Sequence, residues 1–163
     1  MNKNTKSYKK IVDDLIEKSF LSLKRRVIVF YFPCQIVKWA NMGMTYLGPI
    51  MLLFVFPRSK GYSDKELMSI FAHELAHYEI IRDKSFFDKI CFGFRWLFTK
   101  KGKSDFETAA DKRAVQYGYA KGLYSRLIRN EKKMTKEQFK KRLSRGYLSS
   151  SQIKKYAKKI KKW

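Results

Sequence analysis

The sequence predicts an α+β fold in which a small, mostly antiparallel sheet packs on two helices, with further helices at both ends. Three observations carry this expectation. Between Val27 and Phe56, β-branched and aromatic runs alternate with Pro and Gly. From Ser63 onward, apolar residues recur at helical spacing. Of the 163 residues, 45% are apolar and 16% aromatic, enough to bury one core and too many for a disordered chain. The length suits one domain, read here as residues 1–133 followed by a basic helical extension over 134–163.

Each element follows from its residues. Ile11, Leu15, Ile16, Phe20 and Leu23 place an amphipathic helix over Ser7 to Leu23. Strands are expected at Val27 to Phe32, stopped by Pro33, at Met42 to Leu47, and at Ile50 to Phe56 after the Gly48-Pro49 break. Ser63 with Glu66 forms a capping box, starting a helix that runs to about Asp83. Phe86 to Phe98 is aromatic-rich and reads as core or cleft wall, with membrane contact as the alternative. Ser104 and Glu107 are read as the start of a helix reaching Asn130, and Thr135 with Gln138 and Ser149 with Gln152 start two short basic helices.

Charge is unevenly spread. The 37 Lys and Arg against 14 Asp and Glu give +23, of which the last 33 residues hold +11. Such an excess attracts nucleic acid, anionic lipid or an acidic protein without choosing among them. Cys34 and Cys91 lie far apart with no paired spacing, and are read as buried thiols in a reducing compartment. The first 19 residues are interrupted by charges, and the longest apolar stretches are shorter than a membrane span. The expectation is a cytoplasmic protein with no secretion signal and no transmembrane segment.

The chain's only two histidines fall in His73-Glu74-Leu75-Ala76-His77. Shuffling this composition places them so in about 1 chain in 2,000. Residues i and i+4 share one helix face, so both imidazoles reach a single zinc ion. Glu74 is turned about 100° away, able to take a proton from a metal-bound water without ligating. With no histidine left, the third ligand must be a carboxylate. Glu107 is the choice, with Glu79 and Asp105 as alternatives and a capping box with Ser104 as the competing role for Glu107. Asp111, one turn on, can accept the ring N–H of a ligating histidine.

The pair of segments His73-Glu74-Leu75-Ala76-His77 and Glu107-Thr108-Ala109-Ala110-Asp111 resembles the gluzincin clan of zinc metallopeptidases. In size and order of elements the chain is most similar to the soluble minimal members called minigluzincins, related to catalytic domains of integral-membrane peptidases. The resemblance spans roughly Val27 to Asn130. It implies a zincin-like fold, His73, His77 and Glu107 as zinc ligands, Glu74 as general base and Asp111 as support for a ligand histidine. It also implies a peptide or protein substrate and the latency known among minimal members, in which a terminal segment covers the cleft. Such enzymes use a further histidine or tyrosine against the developing oxyanion. Here Tyr117 and Tyr119 are candidates, together with Tyr78 and Tyr124.

The expected function is therefore zinc-dependent peptide-bond hydrolysis, with Ile50 to Phe56 expected to hold substrate as an added strand. The alternative is a non-catalytic basic protein of the same fold that binds nucleic acid or anionic membrane. In the tail, Lys154, Lys155, Lys158, Lys159, Lys161 and Lys162 alternate with Ile153, Tyr156, Ile160 and Trp163. That segment suits an anionic membrane surface, nucleic-acid phosphates or packing on the domain itself, its own cleft included.

Overall fold

The computed structural model describes residues 3–24, 26–32, 42–47 and 50–163. The fold is α+β: three short strands and seven helices among the described residues. Helix α1 (Lys3–Ser19) is followed by a 3-10 turn at Leu21–Leu23. The strands are β1 (Val27–Tyr31), β2 (Met42–Leu47) and β3 (Ile50–Val55). Helices α2 (Asp64–Arg82), α3 (Phe86–Phe98), α4 (Lys100–Gln116), α5 (Ala120–Glu131), α6 (Lys136–Ser144) and α7 (Ser150–Lys159) complete the chain.

The sheet is mixed, not mostly antiparallel. Its order is β1-β3-β2, with β2 antiparallel to β3 and β1 parallel to it, Val29 opposite Leu53. The apolar patterns of the strands are the same for either direction, so nothing in them reveals which neighbour each takes. One consequence corrects the substrate-strand expectation. The strand β3 lies in the middle with both edges paired, so among the described residues only β1 and β2 have a free side for another strand. Alternation along β3 turns Met51, Leu53 and Val55 into the core, while on the other face Phe30 stacks on Phe54 and Phe32 on Phe56, the two pairs joined by a tilted Phe32–Phe54 contact.

Beneath the sheet, α1 contributes Val12, Leu15 and Ile16, Phe20 follows directly after it, and α2 contributes Ile70, Phe71 and Leu75. Phe20 and Phe71 are fully buried, and each such side chain stabilises the fold by about 1.5–3 kcal/mol relative to exposure. The capping box at Ser63 is present, its hydroxyl meeting the Glu66 N–H while the Glu66 carboxylate accepts from the Ser63 N–H at 2.9 Å. Arg129 of α5 pairs with that same carboxylate and donates to Gly61 O at 2.6 Å, tying the start of α2 to α5. Gly122 allows the close approach: a Cβ there would meet Lys65 O at 2.2 Å.

The helix expected from Ser104 to Asn130 is two helices. The first starts at Thr99, whose hydroxyl accepts from the Gly102 N–H at 2.8 Å, so Ser104 is buried inside α4 and caps nothing. Gly118, with φ +95°, ends it and turns the chain into α5. Both tail helices begin where Thr135 and Ser149 place them, each with a complete capping box. Ile153 and Ala157 of α7 are fully buried against α5, so the apolar stripe of the tail belongs to the core. Helix α3 departs most from expectation, since it contains no buried residue. Cys91 lies on it and is exposed, correcting its reading as a buried thiol, while Cys34 falls outside the described residues. Among the described residues no helix is long and apolar enough to cross a membrane.

Candidate metal centre

Helix α2 is apolar on nearly all sides at its centre, with Phe71, Ala72, Leu75 and Ala76 all fully buried. His73 and His77 therefore sit inside the protein, 5% and 3% exposed, where an unpartnered imidazole is costly. The spacing of four places their rings 4.5 Å apart, with the two Nε2 atoms 3.0 Å from each other. Across from them α4 packs on α2 through the small Ala110 and Ala114, both fully buried, which brings Glu107 and Asp111 to the histidines.

Glu107 Oε2 lies 3.3 Å from His73 Nε2, and its Oε1 lies 3.6 Å from His77 Nε2. One atom from each of these three residues falls within 4.8 Å of the others, a grouping able to hold a metal ion. The Asp111 Oδ1 accepts from His73 Nδ1 at 2.8 Å, which fixes that ring so that Nε2 faces Glu107 and His77. His77 has no such holder: its Nδ1 is buried without a hydrogen-bond partner. Glu107 keeps 32% of its side chain exposed, so the cluster opens to solvent on that side.

Electrostatics follow the same geometry. Burial pushes His73 down, but the Asp111 carboxylate, its hydrogen bond and Glu107 carry its pKa up to about 10. Burial and the charge on His73 push His77 down to about 3. Burial opposes ionisation of Glu107 and Asp111 as well, yet both are held below the usual carboxylate range, chiefly by His73. Glu74 goes the other way: burial raises it, His73 and Arg126 offset part of that rise, and Glu107 adds to it. A carboxylate biased toward its protonated form beside a metal-ligand set is suited to exchanging a proton.

The donor set fits a zinc ion: two imidazole nitrogens and one carboxylate, His73, His77 and Glu107, would hold it, with Glu107 on the partly exposed side. The set is not specific to zinc, since the same ligands suit other divalent first-row metals. The chain matches no protein-family model, no curated protein and no solved structure. Chemistry of the site must therefore be argued from its own atoms.

Remaining candidates are placed as follows. Glu79 accepts from the Tyr117 hydroxyl at 2.9 Å and lies 3.7 Å from Arg113, and Asp105 pairs with Arg95 and Lys101, so neither joins the cluster. The phenol of Tyr117, raised by burial and by Glu79, is thus engaged at Glu79. Tyr119 meets Ser19 Oγ at 3.0 Å, the Tyr124 ring lies edge-on to Trp163, and Tyr78 is buried in the core.

Three residues near the cluster escape sequence reasoning. Arg126 of α5 lies 3.9 Å from Asp111. Arg142 of α6, lowered by burial, acts electrostatically on Asp111 and sits over the Tyr147 ring at 5.1 Å. The Tyr147 phenol is itself raised by burial and by the charge of Glu107. All three come from helices or turns distant in sequence, and no spacing signal links them to the histidine motif.

Proposed function

We propose that the protein is a zinc-dependent peptide hydrolase of gluzincin type, with His73, His77 and Glu107 holding the metal. The observation that carries this is the convergence of those three side chains within 4.8 Å, with Asp111 fixing His73 and Glu74 on the same helix. Zinc in this position would polarise the scissile carbonyl and activate a water for attack. Glu74 takes the proton of the attacking water at its carboxylate and delivers it to the leaving amine. Its raised pKa suits both halves of that transfer, because the protonated form is not too costly to reach. Asp111 keeps the Nδ1 proton on His73 and so keeps Nε2 turned to the centre of the cluster. Arg126, beside Asp111 and electrostatically coupled to Glu74, limits the negative charge that three neighbouring carboxylates would otherwise accumulate.

The test is the Glu74→Gln variant, compared with wild type for metal content and for cleavage of unfolded casein. The expected result is one zinc per chain in both proteins and cleavage lost by 100-fold or more, on the order expected for a general base. Equal cleavage would remove Glu74 from the reaction, and absence of bound metal in wild type would remove the reading altogether.

A further inference from the structure

Helix α3 joins the two metal-bearing helices, yet it buries none of its thirteen residues. Phe86, Phe87, Ile90, Phe94, Leu97 and Phe98 are between 43% and 78% exposed. At 100° per residue these six fall within about 120° of arc, one unbroken apolar stripe facing away from the protein. The opposite side holds α3 in place, where Phe92 packs edge-on to Phe106 of α4 at 4.7 Å. Lone exposed apolar residues are ordinary, but a contiguous face of four Phe with Ile and Leu marks an interaction surface.

We propose that α3 is an interfacial helix that inserts this stripe into an anionic lipid bilayer. Charge selects the occupant. Residues 83–105 carry six basic side chains and three acidic, a net of +3, with Asp105 paired to Arg95 and Lys101, on a molecule whose net charge is +23. Lys84 and Lys103 hold their ammonium groups over the Phe92 and Trp96 rings at 5.6 and 5.4 Å, so basic charge lies along the flank of α3 beside the stripe. A second copy of this chain is the poorer occupant, because it would bring another +23 molecule against the same basic flank. Thirteen residues make a helix about 20 Å long, too short to cross a bilayer and well suited to lying along its surface. Anionic headgroups answer the lysines while acyl chains answer the stripe.

Such docking would set the candidate metal centre at the membrane surface. From the stripe, Phe92 leads to Phe106, and the Phe106 ring lies 4.0 Å from that of His77. The same helices line a cavity of about 170 Å3 through Ile80, Phe92, Trp96 and Phe106, with Lys84, Arg95 and Asp105 at its wall, and Phe106 is the residue that this cavity shares with the ring contact to His77.

Vesicle flotation with the full chain tests this, without any peptide substrate, so its outcome is independent of hydrolysis. Vesicles of phosphatidylcholine alone are compared with vesicles containing about one-third phosphatidylglycerol. Wild type should float with the anionic vesicles and much less with the neutral ones. Replacing Phe87, Phe94 and Phe98 together by Asp should weaken binding at least about tenfold. The single Phe87→Asp variant, at the most exposed position, serves if the triple variant does not fold by circular dichroism. Absence of wild-type flotation, equal flotation on neutral vesicles, or undiminished flotation of the stripe variants would overturn the proposal. So would sedimentation showing a wild-type dimer that the stripe variants break, which would make α3 an interface between copies.

Discussion

At the scale of single residues, Asp111 shows how much of the site is set outside the ligands. Its carboxylate holds His73 at 2.8 Å and in turn feels Arg126 and Arg142. Asp111→Asn keeps the shape but exchanges a charged acceptor for a neutral one and permits the wrong imidazole tautomer. Zinc affinity should fall about 10–100-fold. Competition against a chromophoric chelator measures it, and unchanged affinity would mean that Asp111 does not govern the ring. The histidine pair and Glu74 were legible in the sequence because one helix carries them and 3.6-residue periodicity is a local rule. Glu107 and Asp111 were legible only as one choice among several carboxylates, since their meeting with α2 depends on how Ala110 and Ala114 pack. Arg126, Arg142 and Tyr147 were not legible, because their approach is decided by tertiary packing alone.

At the scale of elements, helices are more legible in the sequence than the sheet. Caps at Ser63, Thr135 and Ser149 are local hydrogen-bonding patterns, and all three begin helices as their sequences require. The break at Gly118 is hidden in the sequence because apolar spacing runs on through Tyr117 and Tyr119, both packed against the core. Strand order depends on partners up to about two dozen residues away, and β-patterns do not encode them. Helix α7 is the element whose role changes most. Its stripe would serve equally for a membrane or for the cleft, but Ile153 and Ala157 are fully buried in the core. Ile153→Ala should therefore cost about 2–5 kcal/mol in a urea unfolding experiment. A cost under about 1 kcal/mol would mean that α7 is detachable. Deleting residues 134–163 consequently probes stability as much as latency.

For the molecule as a whole, the cluster ties stability to pH, and the proposed metal would change that dependence. In chelator-treated protein, His73 has its pKa raised from 6.5 to about 10. That contribution is complete below 6.5 and is lost as pH rises through 10. His77, lowered to about 3, gives a contribution complete above 6.5 that is lost as pH falls through 3. The two slopes oppose each other, so the thermal midpoint of chelated protein should peak near pH 6.5 and decline by pH 9. Zinc takes the place of the proton on His73, and the decline on the alkaline side should then disappear. Scanning calorimetry with and without chelator checks this, and a chelated midpoint that rises from pH 6.5 to 9 would contradict it.

The sign of the potential around the cluster changes with distance. Close in, the Glu107 and Asp111 carboxylates are held ionised around the imidazoles, so a cation that displaces the His73 proton is attracted. Farther out, the same cation faces a molecule of net charge +23 and is repelled. Salt shortens the outer field to about 8 Å at physiological ionic strength but hardly reaches the enclosed carboxylates. Metal uptake by the proposed centre would thus be gated by ionic strength while metal retention would not, and a peptide rich in Asp or Glu would gather at the surface under the very field that turns free cations away.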